Sequence, residues 1–280
     1  MRNLDNTTIN SFDFHKLIVD SKKATKLDPD FKTRLVALEN EVEELYNIYK
    51  INFDSNSLEK TVANSYPDNH KNDLLKLYNY KSKLIQALKI EITTTSTHRI
   101  LNTCQNCTLS EINSFDHILP KEEFSEFVVN PLNLFPSCTI CNSYKSRFWQ
   151  ENGKRLYLNL YLDELPKSQY LFVDIDYKND TFGLRFYLEN RSEIDENLFN
   201  IIQSHYNKLH LLERFSRNSD KVITPLQNKI RPFINIISIE EIIKMAIQSA
   251  NLNRNIFGMN YWESILELAL INNDDFLWTL

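Results

Sequence analysis

Apolar residues recur every three or four positions from Phe31 through Leu35, Leu38, Val42, Leu45 and Tyr49, which keeps one stripe on one face of an α-helix. Asp28-Pro29 just ahead supplies an N-cap and a first-turn proline. A second stripe (Leu74, Leu77, Tyr78, Leu84, Ile85, Leu88) follows the turn signal Pro67-Asp68-Asn69 and predicts a helix packed antiparallel on the first. The repeat is too short for a coiled coil, so a packed helical pair is expected. Further on the period changes from helical to alternating. Tyr170–Tyr177 and Thr181–Leu188 flank Lys178-Asn179-Asp180 and predict a β-hairpin. Helical spacing returns at Leu198, Ile201, Ile202, Tyr206, Leu209 and Leu212. Ser238 and Glu241 form a capping-box signal ahead of Ile239, Ile242, Ile243, Ala246 and Ile247. A last helix is expected from near Asn260, with Trp262, Ile265, Leu266 and Ala269 on one side. The chain therefore divides into a helical region (1–100), a central stretch (101–160) and a hairpin-plus-helices region (161–280). The expected fold is mainly α with a small α+β core.

Composition narrows the chemistry. Only 3 of 280 residues are glycine, where average usage would give roughly 20. No G-x-G-x-x-G or Walker-type phosphate loop is present. The net charge of −5 does not advertise a nucleic-acid binder. The acidity is local, however: residues 1–100 carry 15 basic and 14 acidic side chains, whereas residues 161–280 carry 12 and 17. Lys145, Arg147, Lys154 and Arg155 face a single acid, Glu151, in a basic strip able to hold a phosphate backbone. No apolar run reaches the ~18 residues of a membrane span, and Met1–Asn10 lacks the apolar core of a signal peptide. A cytoplasmic protein with no membrane partner is expected.

The four cysteines, Cys104, Cys107, Cys138 and Cys141, form two C-x-x-C pairs. In a reducing compartment this pairing points to four thiolate ligands for a structural Zn²⁺ rather than to disulfides. Between the pairs stand Phe115-Asp116-His117-Ile118-Leu119-Pro120-Lys121 and Asn130-Pro131-Leu132-Asn133-Leu134. Adjacent Asp116 and His117 should end a β-strand, where a bend at Pro120 lets both face one cleft. A carboxylate and the amide oxygen of Asn142 suit a hard cation such as Mg²⁺, and an imidazole can take a proton from water.

The segment Cys104 to Lys145 resembles the HNH family of nucleases with the ββα-metal fold. It has C-x-x-C, an Asp-His-Ile-x-Pro strand end, an Asn-Leu second strand, then C-x-x-C followed by Asn142 and Lys145. The resemblance implies a central ββα-metal module flanked by N-terminal helices and a C-terminal hairpin-plus-helices region. It implies His117 as general base, Asp116 and Asn142 as ligands of one catalytic Mg²⁺ or Mn²⁺, and Asn133 as a brace for the loop. Lys121, Lys145 and Arg147 would contact nucleic acid. The last motif position is Asn rather than His, as in the HNH domain of RNA-guided CRISPR nucleases, and the loop lacks the Gly-Gly pair of many relatives. The implied activity is hydrolysis of phosphodiester bonds, with DNA the expected substrate and 5′-phosphate and 3′-hydroxyl ends. Phage defence, restriction and mobile elements are the settings the resemblance suggests, with a protein partner bound through the helical flanks. The alternative is a non-catalytic zinc-dependent module that binds nucleic acid or protein on the same scaffold.

Other features read as structural. His205 and His210 are five apart and do not share a helix face. His15 and His70 have no ligand-like neighbours, and Asp174 and Asp176 belong on the wet face of the hairpin. His98-Arg99, beside the first cysteine pair, is a weaker phosphate candidate. Phe148-Trp149 should pack against the site.

Overall fold

The computed structural model describes residues 1–179 and 181–280; Asp180, in the turn of the expected hairpin, lies outside the described residues. About 49% of the chain is helical and its strands form small antiparallel pairs, a mainly α protein with little sheet. It divides into two compact units. The larger comprises Asn3–Asn106 and Ser110–Asp163, and the other comprises Met1–Arg2, Cys107–Leu109 and Glu164–Leu280. Most of the first two stretches of the sequence-based division fall in the larger unit, and the third, from Glu164 on, falls in the other.

The larger unit opens with α1 (Ser11–Ser21), α2 (Phe31–Ala37) and α3 (Glu39–Asp54). The first long stripe is broken at Leu38, so one expected helix is two. Its inward residues are Phe31, Leu35, Leu38, Val42, Tyr46, Tyr49 and Phe53. Tyr46 takes the place expected for Leu45, because four steps from Val42 hold the 3.6-residue period better than three. Asp30 precedes α2 without a side-chain cap bond. Asp28, the expected cap, instead grips Arg34 through two 2.9 Å bonds. The second stripe is also split, into α4 (Asp68–Leu75), which packs on α2, and α5 (Lys83–Thr93), capped by Ser82. Leu74, Leu77, Ile85 and Leu88 are buried as the stripe requires.

After α5 come two four-residue strands, β1 (Ser114–His117) and β2 (Leu134–Ser137), and then α6 (Thr139–Lys145). The strands pair antiparallel with Ser114 opposite Ser137, Phe115 opposite Pro136, Asp116 opposite Phe135 and His117 opposite Leu134. Helix α6 packs on β1, and α5 packs on β2. The sixteen residues between the strands return through two 3₁₀ turns, Ser125–Phe127 and Pro131–Asn133. They bury Phe124, Phe127, Val128, Val129 and Leu132 in the core of this unit, with Tyr49 against Phe127 at 4.7 Å between ring centres. The two-residue strands β3 (Gln150–Glu151) and β4 (Lys154–Arg155) close the segment.

The second unit is built on the expected hairpin, β5 (Leu171–Lys178) and β6 (Thr181–Leu188), paired from Leu171–Leu188 to Lys178–Thr181. Around it lie α7 (Glu196–Lys208), α8 (Leu211–Arg217), α9 (Asp220–Ile230), α10 (Ile239–Phe257), α11 (Trp262–Leu270) and α12 (Asp274–Trp278). His210 adopts a left-handed conformation (φ 53°) and separates α7 from α8. The Ser238/Glu241 capping box starts α10. Trp262 and Phe215 stack at 5.3 Å in the core. Among the described residues no helix is long and apolar enough to cross a membrane.

Candidate metal centre and cleft

The cysteine site begins with two tight turns. Around the first pair, Thr103 and Glu111 form an antiparallel bridge and the Cys104 amide donates to Ser110 O at 2.8 Å. Thr108 takes a positive φ of 54°, which turns the chain back on itself. In the second pair Cys138 is the N-cap of α6, its Sγ accepting from the Cys141 amide at 3.4 Å. The Leu109 amide likewise donates to Cys107 Sγ at 3.5 Å. These turns converge. All four Sγ atoms lie within 4.8 Å of one another, each cysteine is buried and none forms a disulfide. Four Zn–S bonds of about 2.3 Å need sulfurs about 3.8 Å apart, so the cluster fits a tetrahedral metal with little adjustment. Four thiols around one point match the ligand set of a tetrahedral soft metal, and backbone amides donate to two of them, Cys107 and Cys138. Cys104, Cys107, Cys138 and Cys141 could hold a zinc ion.

The second feature is a cleft of about 680 Å³ whose walls include Asp116, His117, Lys121, Asn142 and Arg147. Five of the sequence-derived candidates thus meet at one hollow. Asp116 and His117, strand neighbours, both reach it because His117 is the last residue of β1. His117 Nε2 lies 2.9 Å from Val128 O. A carbonyl only accepts, so Nε2 carries the proton and Nδ1 keeps its lone pair. Burial pushes the His117 imidazole down to about 3, against the supporting hydrogen bond to Val128, and the Lys121 and Lys145 charges push the same way. The ring is therefore neutral at physiological pH. Tyr78, edge-on at 4.8 Å, forms part of its cage.

Asp116 is 7% exposed, and burial pushes its carboxyl above the usual range against the opposing pull of the Lys145 ammonium. Asn142 anchors its amide by donating from Nδ2 to Phe115 O at 3.2 Å. That leaves the Asn142 amide oxygen as an acceptor. Asn133 is fully buried behind the cleft and braces the loop. Its Oδ1 accepts from the Leu119 amide at 2.7 Å, and its Nδ2 donates to Leu119 O and Phe127 O at 3.1 and 3.2 Å. The Tyr49 hydroxyl is shared between Asn133 Oδ1 and Leu132 O at 3.2 Å each.

Lys145 departs from the expected phosphate contact. An ammonium has three protons, and all three are directed inward: to Asp116 Oδ1 at 2.9 Å, to His117 O, and to Ile118 O at 3.2 Å. The signal was in the helix period. Lys145 stands four residues after buried Cys141 on α6, so the two share an inward face. Lys121 lies at the cleft, 5.6 Å from the Tyr78 ring centre and 4.0 Å from Glu122. Arg147 is exposed and forms no ion pair with a described residue. Tyr78 and Tyr80 line the cleft too. The pattern put Tyr78 in a core stripe; the helix ends at Leu75, and that break sends Tyr78 to the site.

The class these observations define is a mainly α protein with a buried cluster of four cysteines that could hold a metal, and a polar cleft. In comparison with known proteins, the chain is similar to Protein ea31 of Escherichia phage lambda, 23% identical over 179 residues. The match covers 60% of this chain, and the chain spans about 60% of the length of that relative. No protein-family model and no solved structure matches.

Proposed function

We propose that β1, β2 and α6 form an HNH-type ββα-metal nuclease site that hydrolyses phosphodiester bonds, with DNA the expected substrate. The observation that carries this reading is the convergence of Asp116, His117 and Asn142 on one cleft, with the imidazole held by Val128 O in the tautomer whose Nδ1 is unprotonated. His117 takes the proton of the attacking water at Nδ1 while Val128 O fixes the ring. Asp116 and Asn142 would supply two hard oxygens to Mg²⁺ or Mn²⁺, and Lys145 fixes the carboxylate's orientation through Oδ1. Such a cation, when bound, stabilises negative charge developing on the phosphate and its leaving oxygen. Arg147 and Lys121 hold the flanking phosphates, and Asn133 keeps the Leu119 loop in register with the base. The helical flanks would recruit a protein partner, in a setting of phage defence, restriction or mobile elements.

A second reading, a zinc-dependent binding module without catalysis, is favoured by the ammonium on Asp116, which competes with a cation for that carboxylate. Plasmid nicking with Mg²⁺ or Mn²⁺, with and without chelator, separates the two. The nuclease reading expects metal-dependent nicking that falls by about 10²–10⁴-fold in His117→Ala at unchanged zinc content. Equal rates for parent and variant would remove His117 from the chemistry. A protein that retains strands and cuts none is the binding module.

A further inference from the structure

The outer face of α10 is apolar where a surface helix is usually polar. Of the nineteen large apolar side chains exposed among the described residues, seven fall between Phe233 and Ile256, so the exposure is a local patch rather than scatter. A surface helix needs an apolar stripe of about 100°. On α10 mostly apolar positions span roughly 220°, counted at 100° per residue. Part of that arc, including Ile242 and Ala250, is buried, and the helix packs on α11. The rest carries Met245, Ser249, Leu252 and Ile256, spaced by four, three and four residues and all exposed, the apolar three at 57%, 57% and 48%. That spacing is the row of a coiled-coil seam. At the Met245 end of the row lies a socket of about 210 Å³, with Phe233, Ile237, Met245, Ala246 and Ser249 on its walls. It is smaller than the roughly 300–1,000 Å³ of small-ligand sites, so it is sized for side chains. Lys229 and Glu267 at this socket lie 3.7 Å from each other, so a neutral guest suits it.

We propose that this face joins two copies of the chain, with α10 packed antiparallel on the α10 of a second copy about a two-fold axis near Ala250 and Asn251. The row is complementary to itself in that direction. Met245 stands opposite the partner's Ile256, and Ser249 opposite the partner's Leu252, so a small or flexible side chain meets each large one. The projecting Leu252–Ile256 end of each copy then fills the socket of the other. The charges match as well. The first turn of α10 holds Glu240 and Glu241, whereas its last turn holds Arg254, and Arg2 donates to Ile256 O there at 3.3 Å. Antiparallel pairing sets each acidic end on a basic one and opposes the two helix dipoles; parallel pairing would stack like charges. Beside the row stand Gln248 and Asn255, amides that both donate and accept and so match a copy of themselves. Because the same patch serves both partners, the contact closes as a dimer and does not propagate.

The test is sedimentation velocity of the zinc-loaded full chain from about 1 to 100 µM. The mass should climb from the 33.2 kDa of one chain towards twice that value. Leu252→Lys places an ammonium in the middle of the row, at a position that is exposed in the single chain. It should stay monomeric over the whole range, a loss of at least about thirtyfold in affinity, and melt like the parent at the lowest concentration. A second measurement reads the direction of pairing. Met245→Cys and Ile256→Cys proteins, mixed and treated with a short bis-maleimide, should link to each other. Neither should link to itself, because like positions stand about 16 Å apart along an antiparallel pair. A parent that stays at 33.2 kDa throughout, a Leu252→Lys protein that dimerises like the parent, or cysteine variants that link only to themselves overturns the assignment.

Discussion

Lys145 and Asn133 are polar residues placed where apolar ones usually sit, and both satisfy every hydrogen atom they bring. The Lys145 ammonium joins Asp116 to the carbonyls of His117 and Ile118, so it stiffens the strand end as well as balancing a charge. Lys145→Met keeps much of the stem but leaves a buried carboxylate without its cation. Removing one partner of a buried pair costs about 3–5 kcal/mol, and thermal melts of the zinc-loaded protein should show a loss of that order. Asn133→Ala leaves the Leu119 amide and the Leu119 and Phe127 carbonyls without their side-chain partners. A loss of about 2–4 kcal/mol is expected, again read from melting; on the proposed nuclease reading, nicking falls even where the chain stays folded. Neither effect could be inferred from residue type alone. A lysine after a C-x-x-C reads as a phosphate contact until its helix face is counted, and an asparagine before a strand reads as a turn until its three partners are known.

At the scale of elements, α1 docks on α3 through a buried histidine. His15 is 1% exposed, lies 3.5 Å from the Tyr46 hydroxyl through Nδ1 and stacks on Phe12. Burial pushes its imidazole down to about 4. The folded chain thus resists a proton that the unfolded chain accepts near 6.5. Stability from this contact is full above pH 6.5 and is lost as pH falls from there towards 4. Between pH 7.5 and 5 the loss amounts to about 2 kcal/mol. His15→Leu should flatten that part of the stability–pH curve, measured by urea denaturation at both values. The same scale shows what periodicity reveals. The hairpin registers, the capping box at Ser238 and the inward face of α2–α3 were legible because each repeats over several residues. Helix breaks at Leu38 and at Lys76–Ser82 were not, since they leave the apolar count intact. Helix α1 escaped notice although Asn10 caps it by accepting from the Phe12 and Asp13 amides. Helix α9 did so because Pro225 interrupts an otherwise regular Val222, Leu226, Ile230 series. The cysteine cluster was readable from spacing, whereas the return of Tyr78 to the cleft depended on a turn.

At the scale of the molecule, an overall charge of −5 limits how strongly any nucleic acid is held. Three cations, Lys71, Lys121 and Arg147, line the cleft and a hollow that shares Glu122 and Arg147 with it. Release of about 0.7 counterion per neutralised phosphate on a single strand then gives a slope near −2 in a plot of log affinity against log salt. Anisotropy titrations in a KCl series measure it, and a slope steeper than about −5 would require a larger basic surface than these cations form. Gly258 sets a different global constraint. Its φ is 104°, and an added Cβ would stand 2.0 Å from Met1 O. Gly258→Ala must displace the start of the chain, so its melting temperature should fall by several degrees.

Cys138 belongs to two structures at once: it is one corner of the sulfur cluster and the residue on which the first turn of α6 is hung. Four positions along that helix stands Asn142, pinned to Phe115. Loading the cluster and aiming the amide are therefore a single act of assembly, so stripping the thiolates should misalign the cleft.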